Sequence, residues 1–193
     1  NAVNKTENLR AERAFLPAVD MCDLMREEGL PLFSLESCTP VNEFDVVGIT
    51  LPHELCATNV LEVLDLAGIP VLASDRCEDD PIIVGGGPCA YNPEPFALFF
   101  DAITIGEGET ATPETIERIY ELRRAGASRH EILRELAQLP GTYVPSLYRW
   151  RTQQDAQAAG AWIEPLEEGL PTHIEKRVFE GFAESSGWEP CVV

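Results

Sequence analysis

Two stretches of the sequence determine the fold. The first reads Pro81-Ile82-Ile83-Val84-Gly85-Gly86-Gly87-Pro88, and the second reads Ala102-Ile103-Thr104-Ile105-Gly106-Glu107-Gly108-Glu109. Each is a short, mostly β-branched apolar run that ends in a glycine-rich loop. A third run, Val46-Val47-Gly48-Ile49-Thr50, precedes them. Uninterrupted apolar runs of this length are typical of strands that are buried on both faces of a parallel sheet.

Segments with helical spacing separate these runs. Residues 55–67 carry apolar side chains at helical intervals and end before Gly68. A longer helix is predicted to begin with Thr112 as its cap and Pro113 at its first position, and Ser128 with Glu131 predicts a capping box for the next helix. The alternation predicts an α/β fold, a Rossmann-like or flavodoxin-like parallel sheet with helices on both faces.

The character of the chain changes after residue 140. Residues 143–148, 161–165 and 173–179 could form short strands, whereas residues 185–193 have no clear period. We therefore predict a Rossmann-like domain over residues 1–140, followed by a small β-containing extension and linker over residues 141–193. All three tryptophans lie in this second part, where they are expected to pack a small subdomain or dock a neighbour: Trp150, Trp162 and Trp188.

Charge and cysteine usage exclude several classes of function. The 193 residues carry 33 acidic and 14 basic side chains, a formal net charge of −19. Such a surface repels nucleic-acid phosphates and anionic lipids, so we expect neither nucleic acid nor a membrane as partner. The six cysteines form no C-x-x-C pattern, so their spacing does not indicate a zinc or iron–sulfur site in this chain. A cytoplasmic protein with reduced thiols is expected.

Three loops follow the predicted strands. The carboxyl ends of parallel strands meet at one rim of a sheet, where ligands bind, and glycine lets the backbone approach a flat or phosphorylated ligand closely. Neither glycine loop is a Walker A or dinucleotide motif, and each taken singly could be only a tight strand-to-helix turn. The predicted cofactor-binding residues, none of them catalytic, are Thr50, Leu51, Glu54, Thr58, Asn59, Gly85, Gly86, Gly87, Gly106, Glu107, Gly108 and Glu109.

His53 and Glu54 suggest a further hypothesis, an independent small enzyme that uses them as an acid–base pair. A lone His-Glu dipeptide also occurs as simple polarity at the start of a helix. The spacing of the sequence offers no third group that would complete a catalytic set, so this hypothesis ranks below the two functions given at the end of this section.

The rim sequences resemble a known family. Residues 82–88, then Pro93-Glu94-Pro95, then residues 101–109 are similar to the cobalamin-binding-type domain that precedes many radical SAM cores. There the order is strand, G-G-x, a Pro-Glu stretch and D-x-x-x-x-G-E-G-E. Residues 30–37, 45–48, 58–70 and 141–145 resemble one branch of these Fe–S oxidoreductases more narrowly, and the resemblance covers roughly residues 15–193.

The resemblance implies a set of cofactors and a partner. Cobalamin is possible in this domain, lying over the three loops. The radical SAM signature C-x-x-x-C-x-x-C is absent, so a [4Fe–4S] cluster and S-adenosylmethionine are expected only in a radical SAM core outside this chain, which would be its partner. The D-x-H-x-x-G motif of cobalamin mutases is also absent, and His53 does not match it. A corrin would therefore receive no axial histidine from this chain.

The resemblance further implies that the first strand of the domain lies upstream of Asn1. In the flavodoxin-like order that strand is interior, so its absence would leave unpaired backbone groups on its neighbours. We expect another segment or a partner chain to fill the position, or the sheet to close with altered order.

Two functions remain open for the chain. The first is an accessory domain of a radical SAM iron–sulfur enzyme that binds cobalamin or derives from a domain that did. The alternative is a non-catalytic interaction domain without a ligand, which docks the catalytic core or a basic partner through its acidic surface.

Overall fold

The computed structural model describes residues 3–152, 161–179 and 181. Its main sheet has four strands, and their spatial order is the chain order: β1 Val46–Thr50, β2 Ile82–Gly86, β3 Ala102–Thr104 and β4 Thr142–Tyr143. The first three are mutually parallel, and β4 is antiparallel to β3. A separate antiparallel pair follows, β5 Tyr148–Thr152 and β6 Ala161–Pro165. The predicted α/β class with a small C-terminal β extension is confirmed.

Helices cover both faces of the main sheet. They are α1 Val19–Glu27, α2 Ala57–Leu66, α3 Gly108–Arg124 and α4 Arg129–Leu136. Adjacent strand residues point to opposite faces, so Ile83 packs in one core with residues of α1 and α2, and Ile82 packs in the other with residues of α3 and α4. The sheet is therefore the middle layer of three. Among the described residues, no helix is long and apolar enough to cross a bilayer.

Several local predictions are corrected by the structure. Helix α3 begins at Gly108 and not at Thr112, because the turn at Gly106 leads directly into it, and Pro113 consequently lies inside the helix. Residues 173–179 contribute only one isolated bridge, between Gly106 and Arg177. The capping box of Ser128 and Glu131 is confirmed. The predicted linker at residues 185–193, with Trp188, lies outside the described residues.

Strand β1 is the edge of the sheet. Ile82 N donates to Asp45 O and Leu51 N donates to Gly86 O, so the backbone groups of the alternate residues Val46, Gly48 and Thr50 point away from β2. Gly48 and Thr50 are exposed, which corrects the prediction of a strand buried on both faces. The physical reason is that no described segment pairs with the outer side of β1. Strands β1 and β2 pair directly, so the described sheet has no gap for an interior strand between them, and it closes with altered order, one of the three expected arrangements.

Candidate functional site at the carboxyl rim of the sheet

The three predicted loops lie at one rim. Thr50 is in register with Gly86 on the neighbouring strand, and Gly86 is in register with Thr104. The loops that follow these three residues therefore leave the sheet on the same side, as the parallel order requires. Gly86 and Gly108 thus belong to one rim.

The first loop is partly a core element. Leu51 is fully buried, its N donates to Gly86 O at 2.7 Å, and its O accepts from Cys89 N at 3.0 Å. Gly87 has φ +114°, and a Cβ there would lie 3.0 Å from the carbonyl oxygen of Leu51. Gly85 is buried beneath the ring of Phe100. Leu51, Gly85 and Gly87 therefore take part in internal packing. That packing alone accounts for a leucine and two glycines at these positions, and no ligand is needed to explain them.

A groove of about 340 Å³ opens between the first two loops. Of the twelve predicted cofactor-binding residues, only Glu54 lines it, whereas Thr58 and Asn59 are exposed on the first turn of α2. The groove is lined by Pro52, His53, Glu54, Pro88, Cys89, Tyr91, Asn92, Pro95 and Phe96. Burial, reinforced by the charge of Glu54, raises the pKa of the Cys89 thiol, which keeps it protonated and a weak nucleophile.

The third loop is engaged by the C-terminal part of the chain. Arg177 N donates to Ile105 O at 2.9 Å, and Glu107 N donates to Arg177 O at 3.0 Å. The Glu107 carboxylate accepts a hydrogen bond from Phe179 N. Gly106 has φ +117°, and a Cβ there would overlap the backbone of Arg177. Gly108 is exposed and Glu109 half-buried at the start of α3.

Glu94 connects the rim to the C-terminal extension. Its Oε1 accepts from the Tyr143 hydroxyl and its Oε2 from Trp150 Nε1, both at 2.6 Å. Burial first, and then the bond to this carboxylate, raises the pKa of Tyr143 above its usual range. The sequence indicates Glu94 only through the Pro-Glu stretch of the resemblance and Trp150 only as a packing or docking residue, and it gives no signal for the contacts of Tyr143 and Arg177. These residues are far in sequence from the groups they contact, so the contacts leave no periodic pattern. The one usable signal is Glu94 itself, because the prolines on both sides restrict its backbone.

The five described cysteines do not fit an iron–sulfur cluster. Within the described parts of the chain, no group of three or more His, Cys, Asp or Glu residues is placed to hold a metal ion. Cys22 and Cys56 are buried, Cys38 and Cys77 are exposed, and none of the five described cysteines forms a disulfide. Cluster chemistry therefore cannot be derived from these residues.

The rim also fits a corrin poorly in this arrangement. The places where glycine would allow a flat ligand to approach, Gly87 and Gly106, are filled by the backbone of Leu51 and Arg177. The groove volume lies at the lower end of the roughly 300–1,000 Å³ found for pockets of drug-sized ligands, and a corrin is larger than such ligands.

These features define a class: a three-layer α/β domain in which residues 177–179, after the small β extension, cover the third loop of the carboxyl rim. A family model described as radical SAM proteins, N-terminal, matches residues 1–145. The match spans well over half of the sequence, and the chain belongs to this family of radical SAM N-terminal domains. No curated protein and no solved structure matches the chain.

Proposed function

We propose that this chain is a non-catalytic accessory domain of a radical SAM enzyme and that it docks the radical SAM core through its carboxyl rim. Membership of the radical SAM N-terminal family supports the accessory role. The observation that carries the docking role is the attachment of residues 177–179 to the loop after β3, because it holds this part of the C-terminal extension at the rim. The family relation and this contact together support a core that lies on the rim side.

The chemistry belongs to the core in this proposal. The [4Fe–4S] cluster and S-adenosylmethionine would be held there, and the radical would be generated there. This chain contributes position and charge. With a net charge of −19, it attracts a core that carries a basic docking face, and the acidic groups Glu54 and Glu109 lie on the rim itself.

A cobalamin-binding domain is the second candidate. It is favoured by the placement of Gly86 and Gly108 on one rim. A corrin on the third loop would have to displace residues 177–179, which take up the backbone groups of that loop. The test is to mix the purified chain with hydroxocobalamin, pass it through a gel-filtration column and record the visible spectrum. Pigment that elutes with the protein would support this candidate, and a colourless protein peak would remove it.

We place the protein in the cytoplasm, as most proteins with unpaired cysteines are. The five described cysteines are all free thiols, including the exposed Cys38 and Cys77, and exposed thiols persist where the compartment is reducing.

Two steps test the docking proposal. The coding sequence after codon 193 should encode a C-x-x-x-C-x-x-C motif, and its absence from the whole reading frame would argue against an accessory role in the same polypeptide. That core, expressed separately, should co-purify with this chain. Glu54→Lys reverses a charge on the rim and should weaken the complex at least tenfold, whereas Glu117→Lys makes the same change on the exposed face of α3 and should not. Equal binding by both variants would exclude the rim as the docking face.

A further inference from the structure

We infer that the Gly-Glu-Gly turn at residues 106–108 is the docking site of the chain's own exit strand, residues 177–179, and that Glu107 is the residue that positions this strand. The turn would then fix residues 177–179 against the end of β3. The inference rests on the proposed accessory function for its purpose, since a fixed C-terminal segment helps to orient a core that docks beside it. The docking itself involves only residues of this chain.

Backbone pairing provides the first argument. Ile105 N donates to Gly141 O at 2.7 Å, and Ile105 O accepts from Arg177 N at 2.9 Å. Glu107 N then donates to Arg177 O at 3.0 Å, which completes a parallel bridge between Gly106 and Arg177. Both backbone groups of Ile105 therefore have partners, its N–H in Gly141 and its C=O in Arg177. Arg177 takes the place that another parallel strand would take, but only over the length of the turn.

The glycines provide the second argument. A Cβ on Gly106 would overlap the carbonyl oxygen of Arg177, and a Cβ on Gly141 would lie 3.0 Å from the Arg177 Cβ. Both glycines also have positive φ, +117° and +74°. Two residues without side chains thus flank the same residue of the exit strand. This is what a close backbone approach requires, and the approaching backbone belongs to the chain itself.

Side chains hold the strand at both of its ends. The Glu107 carboxylate accepts from Phe179 N, beyond the bridge, and Arg177 Nη1 lies 2.5 Å from the Glu114 carboxylate on α3. Glu109, the second acid of the motif, takes no part in these contacts. The two acids of Gly-Glu-Gly-Glu therefore have different roles, with Glu107 bound to the exit strand and Glu109 in the first turn of α3.

One consequence concerns ligands. The amide of Glu107 is one of the backbone donors that a phosphate or a corrin side chain could use at this turn, and it already donates to Arg177 O. A ligand at this position and the docked strand therefore exclude each other. Binding of a ligand there would release the exit strand, and release of the strand would open the loop.

Hydrogen exchange on the 193-residue chain tests the inference. Glu107→Ala removes the acceptor of the Phe179 amide, so exchange at Arg177 and Phe179 should accelerate about tenfold to a hundredfold, the factor expected for losing one hydrogen bond to a carboxylate. Glu109→Ala is the matched control, with the same charge change in the first turn of α3, and should leave both amides at the wild-type rate. Ile83 and Ile103, in the core strands, should exchange as in the wild type in both variants.

A second variant covers the case in which Glu107→Ala does not fold. Arg177→Ala removes the ion pair to Glu114 from the side of the strand, and Phe179 should again exchange faster while Ile83 does not. Unchanged exchange at Phe179 in both Glu107→Ala and Arg177→Ala would overturn the inference. The outcome is independent of the core: a protected strand in a chain that binds no core would leave the docking site standing and refute the accessory function alone.

Discussion

Asp101 Oδ2 accepts a hydrogen bond from Arg76 Nη1 at 2.8 Å, and the two side chains are 2% and 0% exposed. The same oxygen also accepts from Ile83 N at 2.7 Å and lies 2.8 Å from Arg129 Nη2. Burial lowers the pKa of Arg76, and the negative charge of Asp101 opposes that effect. Asp101 therefore links the starts of β2 and β3 to α4, at the end of the sheet opposite the glycine turns.

Asp101→Asn should destabilise the protein by about 3–5 kcal/mol, the range for removing one partner of a buried ion pair, because Arg76 and Arg129 then remain buried without a counter-charge. Urea unfolding at neutral pH measures the change. Asp65→Asn, which breaks the exposed pair with Arg26, is the matched control and should cost at most about 1 kcal/mol. Similar losses of stability in the two variants would show that breaking the buried Asp101 network costs no more than breaking an exposed ion pair.

The sequence predicts elements well where one segment contains the whole signal. The apolar runs before Gly85 and Gly106 predicted β2 and β3, and Ser128 with Glu131 predicted the start of α4. The Asp101 network could not be predicted, because its members are 25 and 28 positions apart in the chain and a lone Arg or Asp carries no periodicity. The start of α3 was predicted one turn late, because the preference of Thr-Pro for a helix start yields to the sharp turn at Gly106.

Gly87→Ala should destabilise the fold by about 1–3 kcal/mol. Its φ of +114° and ψ of −174° lie in a region open essentially to glycine alone, and the added Cβ would press on the Leu51 backbone. Gly48→Ala is the contrasting variant, since a Cβ there meets nothing within 4 Å and φ is not positive. It should change stability by no more than about 1 kcal/mol, and the change should be stabilising where the lower conformational entropy of the unfolded chain is the larger effect. Thermal unfolding of both variants checks that Gly87→Ala unfolds at a lower temperature than Gly48→Ala.

The sequence predicted which loops share one rim of the sheet but not the contacts that they make there. The rule that loops gather at the carboxyl rim placed Gly86 and Gly108 together, as the structure shows. What the rule could not indicate is that a segment seventy residues later would bind there, since a single bridge at Arg177 has no strand-length pattern. The cofactor assignment for the twelve residues stays a prediction that the hydroxocobalamin experiment tests.

Tyr143→Phe should cost about 1.5–3 kcal/mol, the value for a hydrogen bond to a charged acceptor, here Glu94. The wild type should also lose stability as the pH rises above 10, the ordinary tyrosine value, because the raised pKa means that the folded state holds the proton more tightly than the unfolded state does. The variant lacks this contribution. Urea unfolding at pH 8 and pH 10.5 should therefore show a gap between the two proteins that narrows at the higher pH. A constant gap would contradict the assignment.

Acid should weaken the attachment of the N-terminal segment through Glu12. Its side chain is only 4% exposed, and its carboxylate accepts from Ser34 Oγ at 2.6 Å and from Ser37 N at 3.2 Å. The Ser37 hydroxyl also donates to this carboxylate, and the hydroxyl bonds from Ser34 and then Ser37 lower the pKa of Glu12. The stabilisation is therefore complete above the ordinary glutamate value of 4.5 and is lost as the pH falls through the lowered pKa.

Glu12→Gln tests this acid effect, because glutamine keeps the shape of the side chain and does not titrate. The wild type should be the more stable protein at pH 7, and its advantage in the urea midpoint should shrink between pH 5 and pH 3. Glu7→Gln, at an exposed position in the same segment, is the control and should follow the wild type at every pH. If the advantage of the wild type stayed constant down to pH 3, the hydroxyl cluster of Ser34 and Ser37 would not be what binds the N-terminal segment.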